Sequence, residues 1–176
     1  MNSKDSKGFS MIEVLIALLL ISVGILGMAV LQVRTLQYTN DAAIRNTAAI
    51  LGNDLLEIIR THPDALSRFY KAADQGFPDV PSTGCAPLPQ AAEEQLGCWA
   101  EKAANTLPGA AQLLESQFYI CRTNTANPTA PCSASGDAIQ VQLAWQVYKG
   151  ECVDPEVITV GQQTLNVCTY RIRTRI

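Results

Sequence analysis

From residue 9 to residue 33 the chain offers one apolar run, "FSMIEVLIALLLISVGILGMAVLQV", and a single charged residue, Glu13, stands near its start. As an α-helix these 25 residues would measure roughly 37 Å, enough to cross a bilayer with some tilt. A secretory signal carries a shorter apolar core of about 7 to 15 residues, so the run predicts a retained helix. A carboxylate in such a segment costs several kcal/mol by most scales and is by default a functional residue in search of a partner.

The flanks set the orientation. Before the run lies "MNSKDSKG", in which Lys4 and Lys7 outweigh Asp5, so this end is expected to stay in the cytoplasm and the bulk of the chain to face outward. All six cysteines, Cys85, Cys98, Cys121, Cys132, Cys152 and Cys168, fall at or beyond residue 85, and none lies in the apolar run. An even number in a Gly/Pro-rich region predicts a disulfide framework in an oxidising compartment. Zinc is the rival, but no CxxC pair occurs and the single histidine, His62, is remote in sequence; no metal is expected. Six cysteines allow 15 pairings, and the sequential set, Cys85 with Cys98, Cys121 with Cys132 and Cys152 with Cys168, is the one expected from the loops it would close. A formal charge of −3 with no broad basic patch argues against nucleic acid as a partner.

Past Val33 polar residues enter, yet Ile44, Ala48, Leu51, Leu55 and Ile58 keep spacings of four and three, which is one apolar stripe on a helix. Pro63 disfavours helical geometry at His62 and should end it. The spacing thus predicts one helix of roughly 80 Å from about Phe9 to Thr61, apolar all round in its first half and one-sided in its second. Gly24 and Gly27, with Ser22 close by, are small residues of the kind that let membrane helices approach one another.

Gly8, Phe9, Ser10, Met11, Ile12 and Glu13, followed by this unbroken apolar helix, resemble the class III signal of type IV prepilins. The resemblance implies that prepilin peptidase cuts after Gly8 and methylates the new N-terminus at Phe9, and that Glu13 is the carboxylate that acts in filament assembly. Cleavage would create an ammonium at Phe9, and burial of that cation against Glu13 of a neighbour would offset the desolvation of both. Residues 20–32, "LISVGILGMAVLQ", further resemble the PilV-type minor pilins. The segments expected are a leader at 1–8, a transmembrane and filament-core helix at 9–33, the amphipathic half of that helix at 34–62 and a globular periplasmic domain at 63–176.

Within residues 63–176, a short helix is expected over 64–74, a breaker-rich linker over 75–89, and a second helix over 90–107 from the spacing of Ala92, Leu96, Trp99, Ala103 and Leu107. Then come strands. Residues 116–123 are the first; in 138–150 Ile139, Val141, Leu143, Trp145 and Val147 alternate with polar residues as a half-buried antiparallel strand; 157–160 and 164–176 follow across a break at Gly161. Arg171, Arg173 and Arg175 share one side of the last strand, as a grip on an acidic neighbouring subunit or an anionic surface, as a solvated outer face, or as charges that blunt a sheet edge. The fold class expected is α+β and pilin-like, a long N-terminal helix on an antiparallel sheet of three to four strands, stapled by disulfides.

No catalytic constellation is present. His62 stands alone, Glu93 and Glu94 adjoin on a helix where sequence neighbours do not share a face, and no phosphate-binding glycine loop occurs. The chain reads as a non-enzymatic structural subunit with no cofactor. The resemblance implies the inner membrane and then a cell-surface pilus as its locations, and other minor pilins, the major pilin, prepilin peptidase and the inner-membrane assembly platform as its partners. It further implies roles in pilus assembly, attachment and twitching motility from the initiating or tip complex. Two alternatives share the same features: a minor pseudopilin of a type II secretion system, and a membrane-anchored adhesin.

Overall fold

A computed structural model describes residues 10–124, 135–148, 151–152 and 155–175. Helix α1 runs unbroken over Met11–Thr61. Pro63–Phe69 forms a 3₁₀ turn, helix α2 covers Ala92–Thr106, and four strands follow: β1 Tyr119–Thr123, β2 Ala138–Val147, β3 Glu156–Val160 and β4 Gln163–Arg175. The sheet is antiparallel throughout in the order β1-β2-β4-β3. A long helix packed on a four-stranded antiparallel sheet with disulfide-bonded cysteines is the pilin-like α+β arrangement.

The chain divides into two compact units, with the boundary between Thr39 and Asn40. In the first, the described residues form helix and their apolar side chains, from Met11 through Leu36, are exposed.

The second unit, Asn40–Ile176, holds the core. Ala48, Leu51, Leu55 and Ile59 of α1 are buried at spacings of three and four, the period that keeps one helical stripe facing inward. They meet Leu96, Trp99 and Ala103 of α2 and one face of the sheet. On that face Val141 lies opposite Ile172, Leu143 opposite Tyr170 and Trp145 opposite Cys168, and paired residues project to the same side. Gly52 sets how near the helix can come, since a Cβ there would stand 3.0 Å from Ile172 Cγ2 and 3.5 Å from Leu143 Cδ1. Between β3 and β4 the two-residue turn begins at Gly161 with φ +62°, a left-handed position that glycine takes without a Cβ penalty.

Three local expectations are corrected. Residues 64–74 do not form one helix: the 3₁₀ turn ends at Phe69, and Lys71 then pairs with Ile120 through N–H···O bonds of 2.9 and 2.8 Å, adding a single bridge beside β1. Strand β2 is not half-buried. Gln140 and Gln142 on its second face are only 1% and 4% exposed, because Gln140 donates to Tyr119 Oη at 3.0 Å and Gln142 donates to the Gln117 carbonyl at 2.8 Å. The arginine row does not form a fully solvated face; it lies on the part of β4 that pairs with β2 alone, since β3 pairs only with Gln163–Val167. Arg171 donates to Gln142 Oε1 and Arg173 donates to Thr123 Oγ1, both from half-buried positions.

Candidate functional site

The residues with the most specific sequence signal sit where α1 begins. The carbonyl of Ser10, just before the helix, accepts from the amides of Glu13 at 3.0 Å and Val14 at 3.3 Å. Glu13 thereby falls in the first turn, where a carboxylate is favoured by the partial positive charge of the helix N-terminus. It is exposed. Gly8 and Phe9 lie outside the described residues, so the structure places Glu13 but not its expected partner.

Below Glu13 the helix presents apolar side chains all round, and a stretch of it is long and apolar enough to cross a membrane with none of its residues buried. Leu15, Leu19, Ile21, Leu26 and Leu31 are all exposed. At about 25 cal/mol per Å², such a surface demands lipid or other helices around it, since water penalises it along its whole length. A helix meets that demand because its backbone groups are satisfied internally. Cβ atoms built on Gly24 and Gly27 would meet nothing within 4 Å, and the Ser22 hydroxyl donates to the Leu19 carbonyl at 2.8 Å. This part of the helix therefore leaves a small-residue notch clear of its own side chains.

The second unit contains two charged arrangements that the sequence reading did not single out. Asp41, 7% exposed, accepts from Arg45 Nε at 2.9 Å. The Arg45 guanidinium lies over the Trp145 ring at 5.6 Å and reaches Cys152 Sγ at 3.4 Å. The spacing of four between Asp41 and Arg45 was the available signal; the aromatic and sulfur contacts come from β2, β4 and the segment between them. The Asp41 carboxylate and both sulfurs lie within 4.8 Å of one another. Cys152 and Cys168 are joined in a disulfide with Cα atoms 6.4 Å apart, however, so they offer no thiolate, and Arg45 already supplies the positive charge at this place.

Lys71 is the second. It is 3% exposed, and its ammonium donates to the carbonyls of Ala72 (3.1 Å), Glu115 (2.9 Å) and Phe118 (2.7 Å) while lying 5.0 Å from the centre of the Phe77 ring. Burial pulls its pKa down from 10.5 to about 8, against the opposing pull of the Glu115 and Asp74 carboxylates. One lysine in a polar stretch gives no sequence signal for this.

The remaining sulfur and nitrogen ligands are accounted for locally. Cys85 and Cys98 form a disulfide with Cα atoms 5.7 Å apart. Cys121 is disulfide-bonded, and its expected partner, Cys132, lies outside the described residues. His62 is held by contacts of its two ring nitrogens with the Ile58 carbonyl at 3.1 Å and the Gln90 carbonyl at 3.2 Å, the position of a structural histidine at a helix end.

Comparison with known proteins gives one match. Residues 3–29 fit the family described as "Prokaryotic N-terminal methylation motif", the stretch that contains Gly8, Phe9, Glu13 and the small-residue notch. Neither a curated protein nor a solved structure matches the chain. The motif is the class III prepilin signal. Type IV pilins and pseudopilins carry this signal, and the similarity is confined to residues 3–29. Membrane anchoring through the apolar helix fits the same assignment.

Proposed function

We propose that this chain is a minor subunit of a type IV pilus, of the PilV type, working in the initiating or tip complex. In this reading it enters the inner membrane with residues 1–8 in the cytoplasm. Prepilin peptidase cuts after Gly8 and methylates Phe9, and residues 9–33 serve first as the membrane anchor and then as filament core. Residues 34–62 carry the periplasmic domain 63–176. Other minor pilins, the major pilin and the inner-membrane assembly platform are the partners, and the processed chain ends in the cell-surface pilus to support assembly, attachment and twitching.

One observation carries the reading: the methylation motif lies on a helix whose first half is wholly exposed and apolar while its second half is already committed to a core. Such a helix has two successive surroundings open to it, lipid and other helices of its kind, without any repacking of the folded unit. The decisive experiment is deletion of the gene combined with analysis of sheared filaments. The chain in the sheared fraction, with twitching lost and enzyme secretion intact, is the expected result. Loss of secretion with twitching intact would identify a pseudopilin, and retention of the mature chain in the membrane fraction alone would identify an anchored adhesin.

A further inference from the structure

A cavity of about 210 Å³ lies in the second unit, where the residues of α1 just past Asn40 meet the end of β2. It is smaller than the roughly 300 to 1,000 Å³ of pockets that enclose drug-sized ligands, so it suits an occupant about the size of one side chain. Ile44, Pro108 and Val147 give it an apolar wall, Asp41 and Glu151 bring carboxylates, and no cationic side chain is among the lining residues. Asp41 is 7% exposed; its Oδ2 accepts from Arg45 Nε at 2.9 Å, while its Oδ1, also buried, has no hydrogen-bond partner among the described residues. Arg45 does not line the cavity, so Oδ1 is the oxygen left to it. Glu151 is half-buried, accepts from the Tyr148 amide at 3.0 Å and forms no ion pair among the described residues.

A buried carboxylate oxygen without a donor is costly. Water can satisfy such an acceptor but brings no charge. With Arg45 set against Asp41, the site keeps one negative charge, that of Glu151. A divalent metal would meet the Arg45 guanidinium directly behind the Asp41 carboxylate and be repelled twice as strongly as a singly charged ion. An ammonium brings one charge and three N–H donors, and a methylene stem behind it fits the apolar wall as a lysine stem lies along apolar surface. We propose that this cavity binds a primary alkylammonium, the group carried by a lysine side chain and by free aliphatic amines. The nitrogen is shared between Asp41 Oδ1 and the Glu151 carboxylate through charge-assisted hydrogen bonds, and the stem lies against Ile44, Pro108 and Val147. Every residue involved belongs to the second unit, and the assignment does not rest on the pilus reading.

The test is an NMR titration of the full chain, isotope-labelled, with its cysteines oxidised and in an uncharged detergent, against n-butylammonium chloride. The backbone amides of Asp41, Val147 and Glu151 should shift together and saturate. The alcohol n-butanol, which has the stem without the charge, should bind about tenfold more weakly or worse, and calcium chloride should leave these amides unmoved. Glu151→Gln keeps the shape of the site and should weaken butylammonium about threefold. Asp41→Asn should weaken it about tenfold; if that variant loses the spectrum of the folded chain, Glu151→Gln decides alone. Titration with Nα-acetyl-lysine N-methylamide separates the sources: saturation by both amines admits a lysine from a partner protein, and saturation by butylammonium alone confines the site to free amines. Shifts that do not saturate, equal affinity for n-butanol, calcium binding at the same amides, or an affinity indifferent to Glu151→Gln would each overturn the inference.

Discussion

The indole nitrogen of Trp99 donates to the carbonyl oxygen of Leu51 across 2.9 Å, joining α2 to the C-terminal half of α1. That carbonyl already serves the α-helical ladder, so the indole uses its second lone pair. Trp99 is otherwise surrounded by Phe77 and Phe118 at ring-centroid separations of 5.9 and 6.4 Å. Trp99→Phe keeps most of the aromatic bulk and orphans no acceptor. The expected cost is therefore modest, about 1 kcal/mol, plus a small packing loss. Urea unfolding of the detergent-solubilised chain reads it as a lower midpoint at unchanged slope.

A larger effect is expected from a smaller change. At Gly97 on α2 a Cβ would stand 2.7 Å from the Asp79 carbonyl oxygen and 2.8 Å from that of Pro78. Alanine improves helix propensity by up to about 1 kcal/mol, but a backbone segment must move to admit it, and overpacking typically costs about 1 to 3 kcal/mol. Gly97→Ala should therefore destabilise the folded unit. Gly76→Ala, where a Cβ would meet nothing within 4 Å, is the control and should be near neutral. Equal midpoints for the two variants would refute the close approach at Gly97.

These two contacts mark the limit of what the sequence discloses. Periodicity alone locates α1 and α2, because residues such as Leu51, Leu55 and Leu96 repeat on a helical stripe, and the alternation through Ile139, Val141 and Leu143 announces β2. It misplaces the glutamines between them. Alternation signals a polar face but not whether hydrogen bonds donated to Tyr119 and Gln117 will let that face be covered. The surroundings of Lys71 and of the Asp41–Arg45 pair were hidden for a related reason: the Glu115 and Phe118 carbonyls, the Cys152 sulfur and the Trp145 ring lie far along the chain, and no local pattern encodes them. The N-terminal signal is legible for the opposite reason. Its chemistry is carried by contiguous residues, and the matching family model covers only residues 3–29.

Lys71 imposes a pH dependence. Its pKa is about 8 in the folded chain against 10.5 for the free side chain. Between these values the unfolded state binds more protons than the folded one, so stability rises with pH through this window, and the whole penalty for burying the ammonium is present below about pH 8. From pH 7.5 to 9.5 the gain should be roughly 1 to 2 kcal/mol. Lys71→Met, which removes the titrating group, should flatten this rise. Denaturation midpoints across the range, without added thiol, provide the check; a wild-type curve that falls with pH through the same interval contradicts the assignment.

Glu13 is expected to matter for assembly and not for anchoring. If its carboxylate pairs with the Phe9 ammonium of a neighbour, Glu13→Val leaves that cation unmatched on burial, a loss typically of about 3 to 5 kcal/mol, while the more apolar span still anchors well. Membrane abundance should stay near normal and the amount in sheared filaments should fall sharply. Glu13→Asp, which keeps the charge but withdraws it by one methylene, should be intermediate. Wild-type incorporation of the valine variant would make Glu13 a passenger.

The bridge between Cys152 and Cys168 has a mechanical meaning. It joins the segment before β3 to the middle of β4, so that β3, the Gly161 turn and the first residues of β4 lie inside a covalent ring. Tension applied along the chain from outside that ring passes through the sulfur bridge and bypasses the loop it closes. The outermost strand of the sheet, which paired hydrogen bonds alone would leave open to peeling from one end, is thereby shielded from traction, and the load falls on the ten-residue ladder between β2 and β4.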